Sequence, residues 1–373
     1  MDEFLKIVRN NTKINIIFEK EITKDKYLLI KEKDKMFEKI EKNGKLGLIE
    51  AYIDGYWSTD DLSFCVEEFK KKYIFAALEI GINKKYKNMI VQKNNSLEQS
   101  KKNIRFHYDI GNDLFVKMLG KSMLYSCAYY HKKNMTLDEA QYAKMKLIAK
   151  KLDLKPGLTV LDIGCGFGSF SYFLVTNYKV KVIGVTLSKN QVAYANKHYK
   201  HKNLNILYKD YRELNGKYDR VFSIGMFEHV GKSNYKIYYD KCYNLLKIDG
   251  IMLIHTIVNS NKGTNSNGFI QKYIFPEGEI PYSADFFDDY SNKWILEDIQ
   301  NIGMSYYYTL LHWKKNLENW DNLNNYDNKF RRIWEYYLVD SSLNFKYKDY
   351  LLYQLVYTKK KSNRDVNCNY INL

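Results

Sequence analysis

The sequence predicts an α/β fold, a mostly parallel doubly wound sheet with helices on both faces, preceded by a smaller N-terminal domain. Two observations carry this. From about residue 141 onward, β-branched runs alternate with segments of helical periodicity. A glycine-rich turn, Gly164-Cys165-Gly166-Phe167-Gly168, also sits where the first such run gives way to a helical pattern. Residues 1–90 mix short apolar runs with acids and bases. The polar stretch Val91–Asn103 reads as a linker, which divides the chain into domains 1–95 and 96–373. Gln141–Leu154 has apolar residues at helical spacing, Pro156-Gly157 punctuates, and Leu158–Ile163 is a strand. After the glycines comes a second helical pattern and then the strand Lys181–Thr186, a βαβ unit of about 30 residues. Further strands are read at Asp219–Ile224, Gly250–Val258, Tyr306–His312 and Leu351–Thr358, with no internal repeat.

Composition narrows the function classes. The 373 residues allow two or three compact domains, and no apolar run approaches the length of a membrane-spanning helix. The N-terminus MDEFLKIVRN lacks the basic and apolar regions of a secretory signal, so a cytoplasmic protein is expected. Cys65, Cys127, Cys165, Cys242 and Cys368 are odd in number and scattered without C-x-x-C pairs, which speaks against a disulfide framework and against a metal site. The net charge of +16 is uneven: residues 101–250 carry +14, while 251–300 carry −4. A one-sided basic field suits a polyanionic partner, an anionic lipid surface or a nucleic acid, and equally a solvated lysine-rich surface.

The glycine loop lets backbone approach a bound cofactor and aims helix N-terminal amides at it. Two details separate the ligands it could hold. Asp162 ends the strand just before the glycines, where a carboxylate repels a pyrophosphate but tolerates the sulfonium and ammonium of S-adenosylmethionine. The second strand runs into Gly184-Val185-Thr186-Leu187-Ser188 with no acid at the ribose position of a dinucleotide fold. S-adenosylmethionine is therefore favoured over a nicotinamide dinucleotide.

Several segments together resemble one family across nearly the whole chain. LGLIEAYIDGYW (Leu46–Trp57), HYDIGNDLF (His107–Phe115) and MLYSCAYY (Met123–Tyr130) are followed in order by VLDIGCGFGSF, GVTLSKNQ, DYRELNGKYDRVFSIGMFEHVG, LIHTI and KYIFPEGEIP. The series is similar to that of the cyclopropane-fatty-acyl-phospholipid synthases, lipid-modifying methyltransferases that use S-adenosylmethionine. Phe167 stands where the family commonly has Trp, and SYYYTLLHW carries extra tyrosines.

The resemblance implies a Rossmann-like class I methyltransferase and a small, mainly helical N-terminal domain for lipid engagement or pairing into a homodimer. It implies transfer of a methylene to the cis double bond of unsaturated phospholipid acyl chains. Bound bicarbonate would be the base, held by Cys127, Glu228, His255 and Tyr306, with Tyr307 and Tyr308 as alternatives to the last. His229 is expected to turn away and support its loop. Gly164, Gly166 and Gly168 would face the methionine moiety, Thr186, Ser188 and Gln191 the ribose, and Asp210 and Tyr211 the adenine. Tyr108, Tyr125 and Ser126 would close over the cofactor, with Asp162 beside it. With 54 Tyr and Phe residues, an aromatic wall around the acyl chain is expected. The implied partner is membrane phospholipid, contacted peripherally and reversibly at the inner surface. Methyl transfer to the same olefin without ring closure, or to another acceptor such as nucleic acid, stays open; no nucleic-acid recognition module is legible.

Overall fold

The computed structural model describes residues 2–18, 26–80, 111–262, 268–276, 278–288, 292–321 and 323–363. Tyr108, Cys368 and the stretch read as a linker lie outside them. The chain forms two compact units, the first made of Met1–Gln92 with Gly268–Ile274 and Trp320–Leu343. Its N-terminal part holds α1 (Asp2–Asn11), β1 (Asn15–Ile17), β2 (Tyr27–Ile30), α2 (Lys33–Ile53), β3 (Trp57–Ser58), α3 (Leu62–Lys71) and α4 (Ile74–Ile80), the strands forming a small sheet in the order β1-β2-β3.

Polar contacts explain why two distant segments join this unit. Glu50 on α2 is buried and accepts hydrogen bonds from Lys272 Nζ at 2.5 Å and from the Tyr273 hydroxyl at 3.0 Å. The Tyr52 hydroxyl donates to Glu335 at 2.8 Å, and Arg332 donates to the Tyr52 carbonyl at 2.7 Å while lying 4.8 Å from the centre of its ring. A buried carboxylate is costly without such partners, so 268–274 and 320–343 complete this unit.

The second unit contains Lys93–Asn267, Phe275–Asn319 and Asn344–Leu373. In chain order the remaining elements are α5 (Asn112–Leu119), α6 (Leu137–Lys151), β4 (Thr159–Ile163), α7 (Ser169–Tyr178), β5 (Lys181–Thr186), α8 (Lys189–His198), β6 (Leu204–Tyr208), β7 (Tyr218–Ile224), α9 (Tyr235–Leu245), β8 (Leu246–Asn259), α10 (Gly268–Tyr273), β9 (Trp294–Asn301), α11 (Gly303–Asn316), α12 (Asn328–Lys346) and β10 (Tyr350–Lys359). Of these, α10 and most of α12 belong to the first unit.

The sheet runs β6-β5-β4-β7-β8-β10-β9. Strands β4 to β8 are parallel, and β10 is antiparallel to both β8 and β9. Alternation along each strand fills two cores. Val160, Phe222, Leu253 and Val356 point to one face, against Ile148 of α6 and Phe170 and Leu174 of α7. Their neighbours Leu161, Val221, Met252 and Leu355 point to the other, against Tyr235, Tyr238, Tyr239 and Cys242 of α9. Strands that are apolar on both faces belong in the middle of a covered parallel sheet.

Three differences from the sequence reading have physical causes. Tyr306–His312, read as a strand, lies inside α11. Its aromatic run has high β propensity, but the residues it buries there, Ser305, Thr309, Leu310 and Trp313, recur at helical spacing, and packing overrides propensity. Strand β6 was not read because LNILY has only one fully buried residue. Edge strand β9 was hidden by the charged and polar positions it turns to solvent.

Candidate active site

Strand order reverses at β4, whose neighbours are β5 on one side and β7 on the other. Open α/β sheets bind ligands at the carboxyl ends of strands around such a reversal, and the cavity lies there. Its wall includes Asp162 near the end of β4 and Gly164 just after it, Thr186 at the end of β5, Asp210 after β6, and Gly225 and Met226 after β7. The amides of Gly164 and Cys165 both donate to the Val185 carbonyl, at 2.9 and 3.0 Å, which ties the loop to β5. Gly164 has a φ of +81°, and a Cβ there would stand 2.8 Å from Met226 Cγ; a Cβ on Gly168 would stand 2.9 Å from that of Ala195. Glycine is required at both positions by conformation and by space.

Asp162 is buried and accepts a 2.7 Å hydrogen bond from Ser171. Burial lifts its carboxyl to about 7 despite that bond. A buried carboxyl of this kind gains from a cationic neighbour.

The remaining residues singled out from sequence fall into three groups. Tyr125, Ser126, Gly166, Thr186, Gln191, Asp210 and Tyr211 line the cavity. Gly168 and Ser188 stand back from the wall as the residues that open α7 and α8. The Ser188 hydroxyl accepts from the Gln191 amide at 3.2 Å, and the Thr186 hydroxyl donates to the Gln191 side chain at 2.6 Å. Asp210 is already held by both nitrogens of a forked contact from Arg212, at 2.9 Å each. His229 lines the cavity rather than turning away from it, with its ring 5.8 Å from that of Phe275. Burial pulls its imidazole down to about 4, so it is neutral at pH 7.

The four residues assigned to the base site are not part of the cavity lining. Glu228 is buried and accepts from the Ile257 amide at 2.8 Å through Oε1; the Thr256 hydroxyl also stands near its carboxyl, and among the described residues Oε2 has no hydrogen-bond partner. Burial raises its carboxyl to about 7. His255 pairs in register with the cavity residue Ile224, and its carbonyl accepts from the Gly225 amide at 2.9 Å. Its Nδ1 faces the Gln354 amide nitrogen at 3.2 Å, and its buried Nε2 has no partner among the described residues. With Gln354 donating, the imidazole proton sits on Nε2.

Cys127 is fully buried, its thiol donating to the Ala128 carbonyl at 3.1 Å. Burial pushes the thiol well above its ordinary range, so it is not a thiolate. Its segment is held by α11, where Thr309 accepts from the Ala128 amide at 3.0 Å and Ser305 from the Tyr130 amide at 3.1 Å. Tyr306 packs between Phe345 and Trp313, with ring centres 4.5 and 6.0 Å away. Trp313 continues to Tyr125, Phe115 and Phe167 at 5.2, 5.4 and 5.6 Å in turn, an aromatic wall reaching the cavity. Sequence reasoning missed Gln141, Lys144 and Gln354. The signal was present: Gln141 and Lys144 occupy the buried face of α6, where apolar residues belong.

A seven-stranded sheet with this glycine loop, and a buried carboxyl at the reversal of strand order, defines a class I S-adenosylmethionine-dependent methyltransferase. Within that class the family described as mycolic acid cyclopropane synthetase matches residues 95–355, and the chain belongs to it. It is 39% identical over 335 residues to the cyclopropane-fatty-acyl-phospholipid synthase of Escherichia coli (strain K12), covering 88% of this chain and 86% of that protein. A solved cyclopropane synthase of Mycobacterium tuberculosis superposes with a TM-score of 0.66 at 30% identity, covering 69% of this chain and 98% of its own. The structure of a mycolic acid cyclopropane synthase complexed with S-adenosylhomocysteine and cetyltrimethylammonium bromide gives 0.64 at 31% identity, covering 69% and 98%. The chain is an S-adenosylmethionine-dependent enzyme of lipid modification.

Proposed function

We propose that this enzyme converts cis double bonds in unsaturated phospholipid acyl chains to cyclopropanes, with bicarbonate as the base. When bound, S-adenosylmethionine supplies an electrophilic methyl on a sulfonium sulfur, and bicarbonate supplies the acceptor for the proton lost at ring closure. One observation carries the base assignment. Two buried polar atoms, His255 Nε2 and Glu228 Oε2, lack partners among the described residues, and their side chains are tethered to the same end of β8. Buried polar groups are nearly always satisfied, and a small oxyanion with a hydroxyl would satisfy both. His255 Nε2–H would donate to it and Glu228 Oε2 would accept its hydroxyl hydrogen, with Cys127 and Tyr306 completing its surroundings.

The other residues bind, orient and exclude water. Asp162 would face the cationic end of the cofactor, the glycine loop its methionine backbone, and Thr186, Gln191, Asp210 and Tyr211 its nucleoside. The aromatic series from Tyr306 to Phe167 would line the acyl chain and stabilise a carbocation by about 0.5–2 kcal/mol per ring. Among the described residues no helix is long and apolar enough to cross a membrane, so access to a bilayer substrate would be peripheral, at the inner surface. We assign lipid engagement or subunit pairing to the first unit.

The test is incubation with S-adenosylmethionine and vesicles of monounsaturated phospholipid, followed by mass analysis of the acyl chains. A gain of one CH₂, about 14 Da, in a product that resists alkene hydrogenation is expected. A methyl-branched or methylene product would overturn ring closure, and unchanged acyl chains would overturn the substrate.

A further inference from the structure

Two lysines are buried on one face of α6, and they differ in what they meet. Lys151 pairs with Asp298 at 2.8 Å. Lys144 is wholly buried and, among the described residues, meets no carboxylate: its Nζ donates one hydrogen bond, at 2.7 Å, to the hydroxyl of Ser126. Among the described residues two of its three N–H groups are left over and no counter-charge meets the cation. A buried ammonium without an anion works against folding, and burial draws this one from 10.5 down to about 7.

Its surroundings indicate what the charge is for. Ser126 lines the cavity, and because its oxygen accepts from Lys144 its own O–H is left to point elsewhere. One turn earlier on α6, Gln141 donates to the carbonyls of Leu124 and Ser126 at 3.3 and 3.0 Å, fixing the segment that carries Tyr125, Ser126 and Cys127. Ser126 adjoins Cys127, so the ammonium stands beside the segment that carries the thiol, and its charge draws both the Cys127 thiol and the His255 imidazole down. These are two of the groups assigned to the oxyanion, and neither carries positive charge when the thiol and the imidazole are neutral.

We propose that Lys144 is a positioning residue for the reaction, its ammonium, when protonated, supplying the positive charge that retains a small oxyanion beside Cys127 and His255. The inference rests on the anion reading given above. It adds the element that reading lacks, since Cys127, His255 and Tyr306 are neutral and Glu228 is neutral or negative.

The experiment compares the full-length enzyme with its Lys144→Met and Lys144→Gln variants in degassed buffer with added bicarbonate. The bicarbonate concentration for half-maximal turnover should rise about 10- to 100-fold in both variants, as for loss of a charged hydrogen bond, with turnover recovering at high bicarbonate. Affinity for S-adenosylhomocysteine should stay within about threefold. In the absence of ligand the Met variant should melt higher than the parent by about 2–4 °C, because it removes a buried unpaired charge. A structural lysine would give the opposite sign. An unchanged half-saturation in the variants beside a bicarbonate-dependent parent overturns the part assigned to Lys144 while leaving the anion reading standing. So does a lowered melting temperature in both variants. If the parent and a Cys127→Ser enzyme with a weakened anion site are both indifferent to bicarbonate, the anion reading and this proposal fall together.

Discussion

Replacing Glu228 by Gln tests the base site through stability as well as rate. The Glu228 carboxyl is buried, and its pKa is raised from 4.5 to about 7. That rise corresponds to about 3 kcal/mol of preference for the neutral form in the folded state. The folded protein holds this proton more tightly than the unfolded chain does. The cost of ionising the group is therefore absent below about pH 4.5, grows between 4.5 and 7, and is constant above. Gln keeps the shape and its amide oxygen can still accept from the Ile257 amide, now at 2.8 Å from Oε1, but it never ionises. The variant should match the parent near pH 4.5 and exceed it by about 3 kcal/mol at pH 8, a urea midpoint shift of about 1 M. Midpoints followed by tryptophan fluorescence at four pH values read this directly. Methyl transfer should fall by at least about 10²-fold, because the amide offers a donor where Oε2 offered an acceptor. S-adenosylhomocysteine affinity should hold, since Glu228 lies off the cavity wall. A midpoint difference independent of pH would refute the burial argument, and full turnover would remove Glu228 from the chemistry.

The other predictions concern the cavity and the surface. S-adenosylmethionine binding should release nearly one proton at pH 6 and almost none at pH 8.5, because the Asp162 carboxyl at about 7 must ionise to face a cation; affinity rises with pH through that window and then levels. Calorimetry in buffers of different ionisation enthalpy counts the proton, and an equal count in Asp162→Asn would assign it elsewhere. Gly164→Ala places a methyl 2.8 Å from Met226 Cγ at a φ of +81°, so cofactor affinity should drop about tenfold or more. Adding Met226→Ala should recover part of the loss, and no recovery would mean that conformation alone is responsible. Binding to anionic vesicles should weaken as salt shortens the screening length below about 8 Å; binding indifferent to salt and to anionic lipid would mean that the basic excess of residues 101–250 faces only solvent.

What could be read from sequence, and what could not, follows from the range of the interactions involved. The strands β4, β5, β7, β8 and β10 were legible because each buries both faces and so declares itself as a local apolar run. The glycine loop was legible because its conformation and its closeness to Met226 and Ala195 exclude side chains. Lys144 carried a weaker signal, its place on the apolar face of α6, because a lysine on a helix reads as solvated until its neighbours are known. The same holds for the first unit, whose polar contacts join residues 222 and 283 positions apart, Glu50 to Lys272 and Tyr52 to Glu335. That long-range construction alters one experiment in particular. Deleting residues 1–95 would remove Glu50, Tyr52 and Asp54 and strand their partners Lys272, Glu335 and Lys329. Loss of vesicle binding after such a deletion would then mix lipid contact with the unfolding of 268–274 and 320–343. Substituting exposed lysines on α2 and α3 singly, with both units intact, separates the two, because surface substitutions away from packed contacts shift stability by only about 0.5 kcal/mol.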